Sequence, residues 1–180
     1  VRSTPGPELA ERWQELAPIP EPLRGMAVAT YDGDIFTLGG EGPQGLSRSV
    51  YCYNFENARW ETREDKPTEV TDVQGVSIGE KIYVPGGRLA DGSPTDVLEI
   101  YNPRTDEWEK GAPLPAAVSG YALADFDGQV YLFGGWDGEG DIAQVLIYDP
   151  GADVWQQGQP MDHPRSNSRA VALEDRIVLM

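Results

Sequence analysis

The sequence predicts an all-β fold built from a repeated unit, and three sets of markers with one spacing predict it. Gly-Gly doublets recur at intervals of 47 and 48 residues, and tryptophans recur at intervals of 47, 48 and 47. A tyrosine precedes each of the last three of these tryptophans by seven residues. The markers are Gly39, Gly40, Gly86, Gly87, Gly134 and Gly135, then Trp13, Trp60, Trp108 and Trp155, then Tyr53, Tyr101 and Tyr148. One period in three residue types indicates a repeat architecture.

Each repeat divides into four short segments that are rich in β-branched and aromatic residues and too short for helices. Asp32-Gly33 and Asp127-Gly128 separate the first two segments, as a type I′ hairpin turn requires, and Gly79-Glu80 suits a type II′ turn. Pro85 lies inside a predicted strand, where we expect a local bulge because proline cannot donate to the ladder. Asx and proline residues predict turns between segments three and four. Those turns are Asn54-Phe55, Asn102-Pro103 and Asp149-Pro150.

A four-stranded antiparallel unit of 47–48 residues is the blade of a β-propeller. Blades stack face to face, so the tyrosines and tryptophans are expected to fill the layers between them. We therefore predict one partial propeller domain over 1–180, with an incomplete ring. Its expected parts are strand d of an upstream blade at 8–20, blades at 23–66, 70–113 and 118–160, and strands a and b of a further blade at 165–180.

This pattern resembles the kelch repeat, in which Gly-Gly closes strand b, a tyrosine lies in strand c and a tryptophan in strand d. The resemblance covers nearly the whole chain and implies that strand a lines a central channel. Kelch propellers usually have about six or seven blades. The chain is therefore expected to be part of a longer propeller, cut at both ends. The alternative is that copies associate to complete the ring, and self-association through open terminal strands is expected.

The resemblance also implies a binding face at the mouth of the channel, with two recurring positions in each blade. The residues just after Gly-Gly are Glu41, Arg88 and Trp136. The residues that open strand a are Arg24, Thr71, Ser119 and Ser166, with Arg165 one position before the last. Arginines there would bind an acidic or polar ligand through the bidentate guanidinium, or else would pair with neighbouring carboxylates. Trp136 lies outside the repeat register and offers a flat apolar contact or a cap on the next blade.

The chain is strongly acidic, with 14 Lys and Arg against 30 Asp and Glu residues and a net charge of -16. Such a surface repels phosphate backbones and anionic lipids, so neither nucleic acid nor a membrane is an expected partner. A protein or peptide is the expected partner, and a carbohydrate is the alternative. The run WDGEGD at 136–141 faintly resembles a calcium loop, but we interpret it as a solvated turn.

The sequence predicts no catalytic residue, no metal centre and no cofactor. His163 is the single histidine and Cys52 the single cysteine, too few for a multi-histidine or Cys/His metal site. We expect Cys52 to be a small buried residue of strand c. The first functional hypothesis is a binding module for a protein or peptide. The alternatives are a fragment of a kelch-type carbohydrate-active enzyme (a sugar epimerase or mutarotase, or galactose-oxidase-like) and a purely structural propeller segment.

Overall fold

The computed structural model describes residues 15–180, and the regular elements there are all β-strands. Blade 1 and its loop hairpin contain β1 (Ala27–Tyr31), β2 (Asp34–Leu38), β3 (Glu41–Gly42), β4 (Gly45–Leu46), β5 (Val50–Asn54) and β6 (Arg59–Arg63). Blade 2 contains β7 (Val76–Ile78), β8 (Lys81–Pro85), β9 (Leu98–Asn102) and β10 (Glu107–Lys110). Blade 3 contains β11 (Ala122–Phe126), β12 (Gln129–Phe133), β13 (Val145–Asp149) and β14 (Val154–Gln157). The last hairpin contains β15 (Ala170–Ala172) and β16 (Ile177–Leu179).

Each blade is one antiparallel four-stranded sheet whose strands follow the order of the chain, with the sheets β1-β2-β5-β6, β7-β8-β9-β10 and β11-β12-β13-β14. The all-β prediction of four-stranded antiparallel units is confirmed, and the described strands do not close a ring. The first strands β1, β7, β11 and β15 pack beside one another. The predicted strand d at 8–20 lies mostly outside the described residues, together with Trp13, and 15–20 form no strand. No helix among residues 15–180 is long and apolar enough to cross a membrane.

The hairpin turns have the backbone angles that their residue types predict. Asp32 and Gly33 both have positive φ, at 50° and 86°, as a type I′ turn requires. In the Gly79-Glu80 turn only the glycine has positive φ, at 60°, which agrees with a type II′ turn. The glycine and Asx residues at these turns therefore set the register of each first hairpin.

The bulge predicted at Pro85 is wrong, because Pro85 pairs with Leu98 in unbroken register. The next residue, Gly86, donates its N–H to the Val97 carbonyl at 2.8 Å, toward β9. Successive N–H groups point to opposite sides of a strand, so the Pro85 nitrogen faces the β7 side. There the pairing with β7 has already ended at Tyr83, and no donor is missed.

The hydrophobic core lies in layers between consecutive blades. One layer joins blade 1 to blade 2 and includes Phe36, Cys52 and Tyr101, all buried. A second layer joins blade 2 to blade 3 and includes Tyr83 and Tyr148. Each blade thus uses one face of its sheet against each neighbour, which is how a stacked repeat buries a continuous core.

The repeated tyrosine and tryptophan pair across strands c and d and attach each blade to the segment before it. The ring centroids are 5.2 Å apart for Tyr53 and Trp60, and 5.0 Å in the other two blades. Each tryptophan also donates its indole N–H to a carbonyl about one repeat earlier in the chain. The pairs are Trp60 with Ala17 at 2.8 Å, Trp108 with Glu64 at 3.0 Å and Trp155 with Ala112 at 2.9 Å. The indole N–H is therefore satisfied at the blade boundary.

Blades 2 and 3 add an aspartate to this attachment, and blade 1 lacks it. Asp153 accepts the Tyr148 hydroxyl at 2.7 Å and the Ala112 N–H at 2.6 Å, and Asp106 occupies the same place in blade 2. These hydrogen bonds lower the pKa of the Asp153 carboxyl. In blade 1 the corresponding residue is Ala58, with φ of 52°. Ala58 therefore has the same left-handed backbone as Asp106 and Asp153 but no side-chain oxygen to accept a hydrogen bond.

Ala58→Asp is expected to stabilise the protein. The new carboxylate would accept the Tyr53 hydroxyl and the Ala17 N–H, as the equivalent aspartates do in blades 2 and 3. One added hydrogen bond of about 1 kcal/mol corresponds to a rise in melting temperature of roughly 2–4 °C for a chain of this size. Thermal unfolding followed by circular dichroism measures it, with Ala58→Ser as control. An unchanged or lower melting temperature would contradict the proposed role of the aspartates.

A buried ion pair crosses the boundary between blades 1 and 2. The Lys66 ammonium contacts the Glu99 carboxylate, and the two side chains are 2% and 0% exposed. Thr68 donates its hydroxyl to the other Glu99 oxygen at 2.6 Å. The ammonium lies 5.8 Å from the centre of the Trp108 ring, within range of a cation–π contact. Burial lowers the pKa of Lys66, and the attraction of Glu99 opposes that shift.

Candidate binding pocket

The two sets of predicted site residues are brought together in pairs, one pair in each blade. Arg24 pairs with Glu41, Thr71 with Arg88 and Ser119 with Trp136, each through antiparallel backbone hydrogen bonds. Each pair joins the loop after strand b to the start of strand a. The arrangement repeats because Gly-Gly turns the chain out of the sheet with positive φ at both glycines.

At the start of strand a, in each of the three blades and before the last hairpin, one residue has a left-handed backbone. These residues are Gly25, Asp72, Gly120 and Asn167, with φ between 54° and 62°. Gly120 donates its N–H to the Asp72 carbonyl at 2.8 Å, and Asn167 donates to the Gly120 carbonyl at 2.6 Å. These hydrogen bonds link consecutive blades around the channel mouth. Glycine and Asx residues occupy the positions because they tolerate positive φ best.

A pocket of about 300 Å³ lies where these segments of blade 2, blade 3 and the last hairpin meet. Four predicted site residues contribute to its wall, namely Arg88, Ser119, Trp136 and Ser166. The remaining wall residues are Asp72, Gly120 and Asn167. The pocket therefore combines an arginine, two hydroxyls and an aromatic ring with one carboxylate.

Arg88 is held at one edge and open at the other. Its Nε donates to Asp72 Oδ2 at 2.8 Å, and the two side chains are 37% and 35% exposed. Its terminal amino groups make no hydrogen bond to any residue in the range 15–180. These groups are the fork that binds a carboxylate through two parallel hydrogen bonds. The ion pair with Asp72 thus fixes the guanidinium and leaves its binding edge accessible.

Ser119 contributes a hydroxyl that makes no hydrogen bond to another described residue. The residue is 2% exposed and lies in the pocket wall. Thr71 occupies the same position in blade 2, and there the hydroxyl donates to the Arg24 carbonyl at 3.4 Å. The side-chain polar atoms that are both buried and unpaired within 15–180 are Thr37 Oγ1 and Arg63 Nε, and neither residue lines this pocket. The hydroxyl of Ser166, another wall residue, accepts the Asn167 side-chain N–H at 3.3 Å.

Trp136 contributes a half-buried ring to the pocket. Unlike the three tryptophans at the blade boundaries, its indole N–H has no acceptor within 15–180. Its backbone is fixed on both sides by bridges to Ser119 and Asp141. The ring is therefore held in place by the backbone, and its N–H is left for a ligand.

Gln74 connects the three segments that build the pocket. Its amide donates to the Tyr121 carbonyl at 2.6 Å and to the Ser168 carbonyl at 3.1 Å, and its oxygen accepts the Leu123 N–H at 3.2 Å. The buried Tyr121 hydroxyl donates in turn to the Pro85 carbonyl. One side chain of blade 2 thus bonds to both blade 3 and the last hairpin, so the pocket walls are fixed without a ligand.

The other predicted site residues lie outside this pocket. Arg24 forms an ion pair with Glu41 at 2.9 Å, which lowers the pKa of the Glu41 carboxyl. Arg165 uses its backbone, since its carbonyl accepts the Gly135 N–H at 2.9 Å. Thr71 is buried. The pairing of arginines with carboxylates, the alternative raised by the sequence, therefore describes Arg24 through one terminal amino group and Arg88 through Nε.

A larger pocket, of about 580 Å³, lies elsewhere, between blades 1 and 2. Its wall carries Glu64, Asp65, Asp106, Glu107 and Glu109 with few cations, and Lys81 is already paired with Glu109. These carboxylates repel an acidic ligand, so a ligand of that kind is not expected to bind in this larger pocket.

The WDGEGD loop is a turn stabilised by its own aspartate. Asp137 accepts the backbone N–H groups of Glu139 and Gly140, both at 2.9 Å, and these bonds lower the pKa of its carboxyl. Within residues 15–180, no cluster of three or more His, Cys, Asp or Glu side chains is arranged to hold a metal ion. Asp137 uses its Oδ1 oxygen for the hydrogen bonds that hold the turn together.

Sequence reasoning missed Asp72, Asn167 and Gln74. Asp72 and Asn167 follow the predicted residues Thr71 and Ser166 directly, and they are in register with Gly25 and Gly120. That register is the signal that could have found them, because a polar Asx residue where two repeats have glycine marks a left-handed position. Gln74 occupies a position held by alanine in blades 1 and 3, at Ala27 and Ala122.

Four-stranded antiparallel blades that stack through apolar layers and pack their first strands beside one another define a segment of a β-propeller. A family model, the KLHDC2/KLHL20/DRC7 Kelch-repeats domain, matches residues 25–180. The chain belongs to the kelch-repeat family.

Known proteins agree with this assignment. Kelch-like protein 35 of Mus musculus is 31% identical over 139 residues, which cover 76% of this chain and 23% of that protein. Beta-scruin of Limulus polyphemus is 29% identical over 156 residues, which cover 79% of this chain and 17% of that protein. The solved structure of YjhT superposes with a TM-score of 0.79 at 17% identity, over 92% of this chain and 60% of that one. The chain thus spans about a fifth of the length of these curated relatives.

Proposed function

We propose that the chain is a protein-interaction module that binds a protein or peptide segment through an acidic residue placed in the Arg88 pocket. The observation that carries the proposal is the group of unused donors in one wall. Arg88, Ser119 and Trp136 line one pocket of about 300 Å³, and the Arg88 terminal amino groups, the Ser119 hydroxyl and the Trp136 indole N–H make no hydrogen bond to a described residue. Such a set complements a carboxylate, which only accepts hydrogen bonds.

The charge of the partner follows from the chemistry of the pocket. Arg88 provides a fixed fork and Ser119 a hydroxyl for carboxylate oxygens, so an Asp or Glu side chain or a terminal carboxylate fits. Trp136 would cover the apolar part of the same residue, as aromatic anchors do at interaction sites. The overall net charge of -16 opposes strongly acidic partners at long range. The proposal is therefore a partner with an isolated acidic residue inside a segment of low net charge.

The size of the pocket supports a short anchor with wider contacts around it. A volume of about 300 Å³ is at the lower limit of ligand pockets and accommodates one or two side chains. The loops over 41–46, 88–94 and 136–141 are each closed by short backbone bridges and rise around the channel mouth. They provide a fixed rim for the rest of a partner segment.

The test is selection of random peptides displayed on phage, followed by affinity measurements on synthetic copies. Selected peptides are expected to share an acidic residue, and its replacement by the amide should weaken binding. Arg88→Ala is expected to lower affinity about 10-fold or more, because a desolvated carboxylate would lose its charged partner. Trp136→Ala is expected to lower affinity about 5-fold or more.

The matched control is Arg104→Ala, at the opposite end of blade 2, where Arg104 forms an exposed ion pair with Glu80. Its effect on affinity should stay below about 2-fold. Selected peptides without acidic residues, or equal binding by the Arg88 and Arg104 variants, would reject the proposed site.

A further inference from the structure

We infer that Asp72 is a specificity-determining residue, which makes the pocket prefer a carboxylate that carries a neighbouring N–H donor. The inference rests on the proposed function of the Arg88 pocket and adds the identity of the group beside the carboxylate. Asp72 already holds the Arg88 guanidinium through one oxygen, and the inference assigns a role to its second oxygen.

The first observation is the position of Asp72. Its equivalents in blades 1 and 3 are Gly25 and Gly120, its equivalent before the last hairpin is Asn167, and all four residues have φ between 54° and 62°. A side chain costs free energy in this left-handed conformation, and glycine avoids that cost. Blade 2 nevertheless has an aspartate, whose carboxylate lies in the wall of the 300 Å³ pocket and of an adjoining one of about 340 Å³.

The second observation is the way in which Asp72 uses its oxygens. Oδ2 accepts the Arg88 Nε–H at 2.8 Å. Oδ1 accepts no hydrogen bond from the residues within 15–180. The pocket therefore offers the free Arg88 amino groups as donors and a free Asp72 oxygen as acceptor.

Two consequences follow for a ligand. A bare carboxylate meets the charge of Asp72 as well as that of Arg88, and like charges at close range weaken its binding. A carboxylate attached to an N–H group satisfies both sides, because the N–H donates to Asp72. Sites that present a buried or partly buried acceptor discriminate strongly against analogues without the donor, since the acceptor then loses its partner. The backbone N–H of an acidic or carboxy-terminal residue is such a donor.

The experiment uses two small probes that differ only in this donor, N-acetylglycine and its isostere levulinate, in which CH2 replaces N–H. Binding is followed by NMR through the Trp136 indole N–H signal. Wild-type protein is expected to bind N-acetylglycine about 3-fold or more tightly than levulinate. Asp72→Asn keeps an acceptor and removes the charge, so it should bind levulinate about 3- to 10-fold more tightly than wild type. Asp72→Gly, the residue of the equivalent positions in blades 1 and 3, should abolish the preference between the probes.

The control is Glu41→Gln, which removes a carboxylate from the same face outside the pocket wall and should change either affinity less than about 2-fold. Equal binding of the two probes by wild type, or levulinate binding by Asp72→Asn that is no tighter, would overturn the inference. An equal gain in levulinate affinity from Glu41→Gln would overturn it too. The gain from Asp72→Asn would then reflect the lower negative charge of this face and not a contact with Asp72. Failure of peptide selection would reject the proposed partner class, whereas these probes test Asp72 without the partner.

Discussion

Lys66→Ala is expected to lower the free energy of unfolding by about 3–5 kcal/mol, because it leaves the Glu99 carboxylate buried without its cation. The Lys66 and Glu99 side chains are 2% and 0% exposed. Thr68 would remain the sole side-chain donor to that carboxylate among residues 15–180. The pair spans blades 1 and 2, so the loss is expected to loosen that boundary. Urea unfolding followed by tryptophan fluorescence measures the change in midpoint.

Two controls separate the loss of pairing from other effects. Lys81→Ala removes an exposed partner of Glu109 and should change stability by less than about 1 kcal/mol. The double variant Lys66→Met with Glu99→Leu removes both charges and should recover most of the stability lost in Lys66→Ala, because an apolar pair needs no counter-charge. If Lys66→Ala were as stable as wild type, the Lys66–Glu99 pair would not be buried in solution.

Gly134→Ala is expected to destabilise the protein by about 2–5 kcal/mol through backbone strain and a steric clash together. Gly134 has φ of 60°, and a Cβ there would lie 2.3 Å from the Arg165 carbonyl oxygen and 3.0 Å from the Ile142 carbonyl oxygen. Both contacts are with backbone, so relief requires movement of the segment that leads into Ser166. The same variant should therefore weaken ligand binding at the pocket as well as stability.

Gly33→Ala is the matched control for that substitution. Gly33 also has positive φ, at 86°, but a Cβ there meets nothing within 4 Å. Its expected cost is the conformational part alone, about 1–2 kcal/mol. Chemical denaturation of both variants measures the difference. Equal destabilisation by the two variants would show that Gly134 is needed only for its backbone conformation. The close contact between Gly134 and the Arg165 carbonyl would then contribute nothing to stability.

The repeat could be predicted from the sequence because its markers act locally and in register. Asp32-Gly33 sets a hairpin through its own backbone angles, and the Tyr53–Trp60 contact lies between adjacent strands. Each of these features depends on residues a few positions apart in the sequence. The same features recur in every repeat, so each repeat supports the prediction made from the others. The bulge expected at Pro85 was wrong because the sequence does not show where β7 ends. That end decides whether a missing N–H has any consequence.

The candidate pocket was predicted only in part, for a physical reason. The family pattern named Arg88, Ser119, Trp136 and Ser166 among other positions, but not that these four line one pocket. Long-range geometry decides this, since Gln74 and Ser168 lie 94 residues apart and are hydrogen-bonded. The buried pair of Lys66 and Glu99 gave no signal for the same reason, because its members are 33 residues apart in separate blades.

NMR titration of the indole N–H signals tests the central claim, that the pocket at the channel mouth is the binding site, most directly. The probe is a phage-selected acidic peptide, with its amide counterpart as control. The account predicts that the Trp136 signal moves on titration with the acidic peptide only. The signals of Trp60, Trp108 and Trp155 should stay unchanged, since their N–H groups are bonded at blade boundaries. Movement of a boundary tryptophan with an unmoved Trp136 signal would contradict the account.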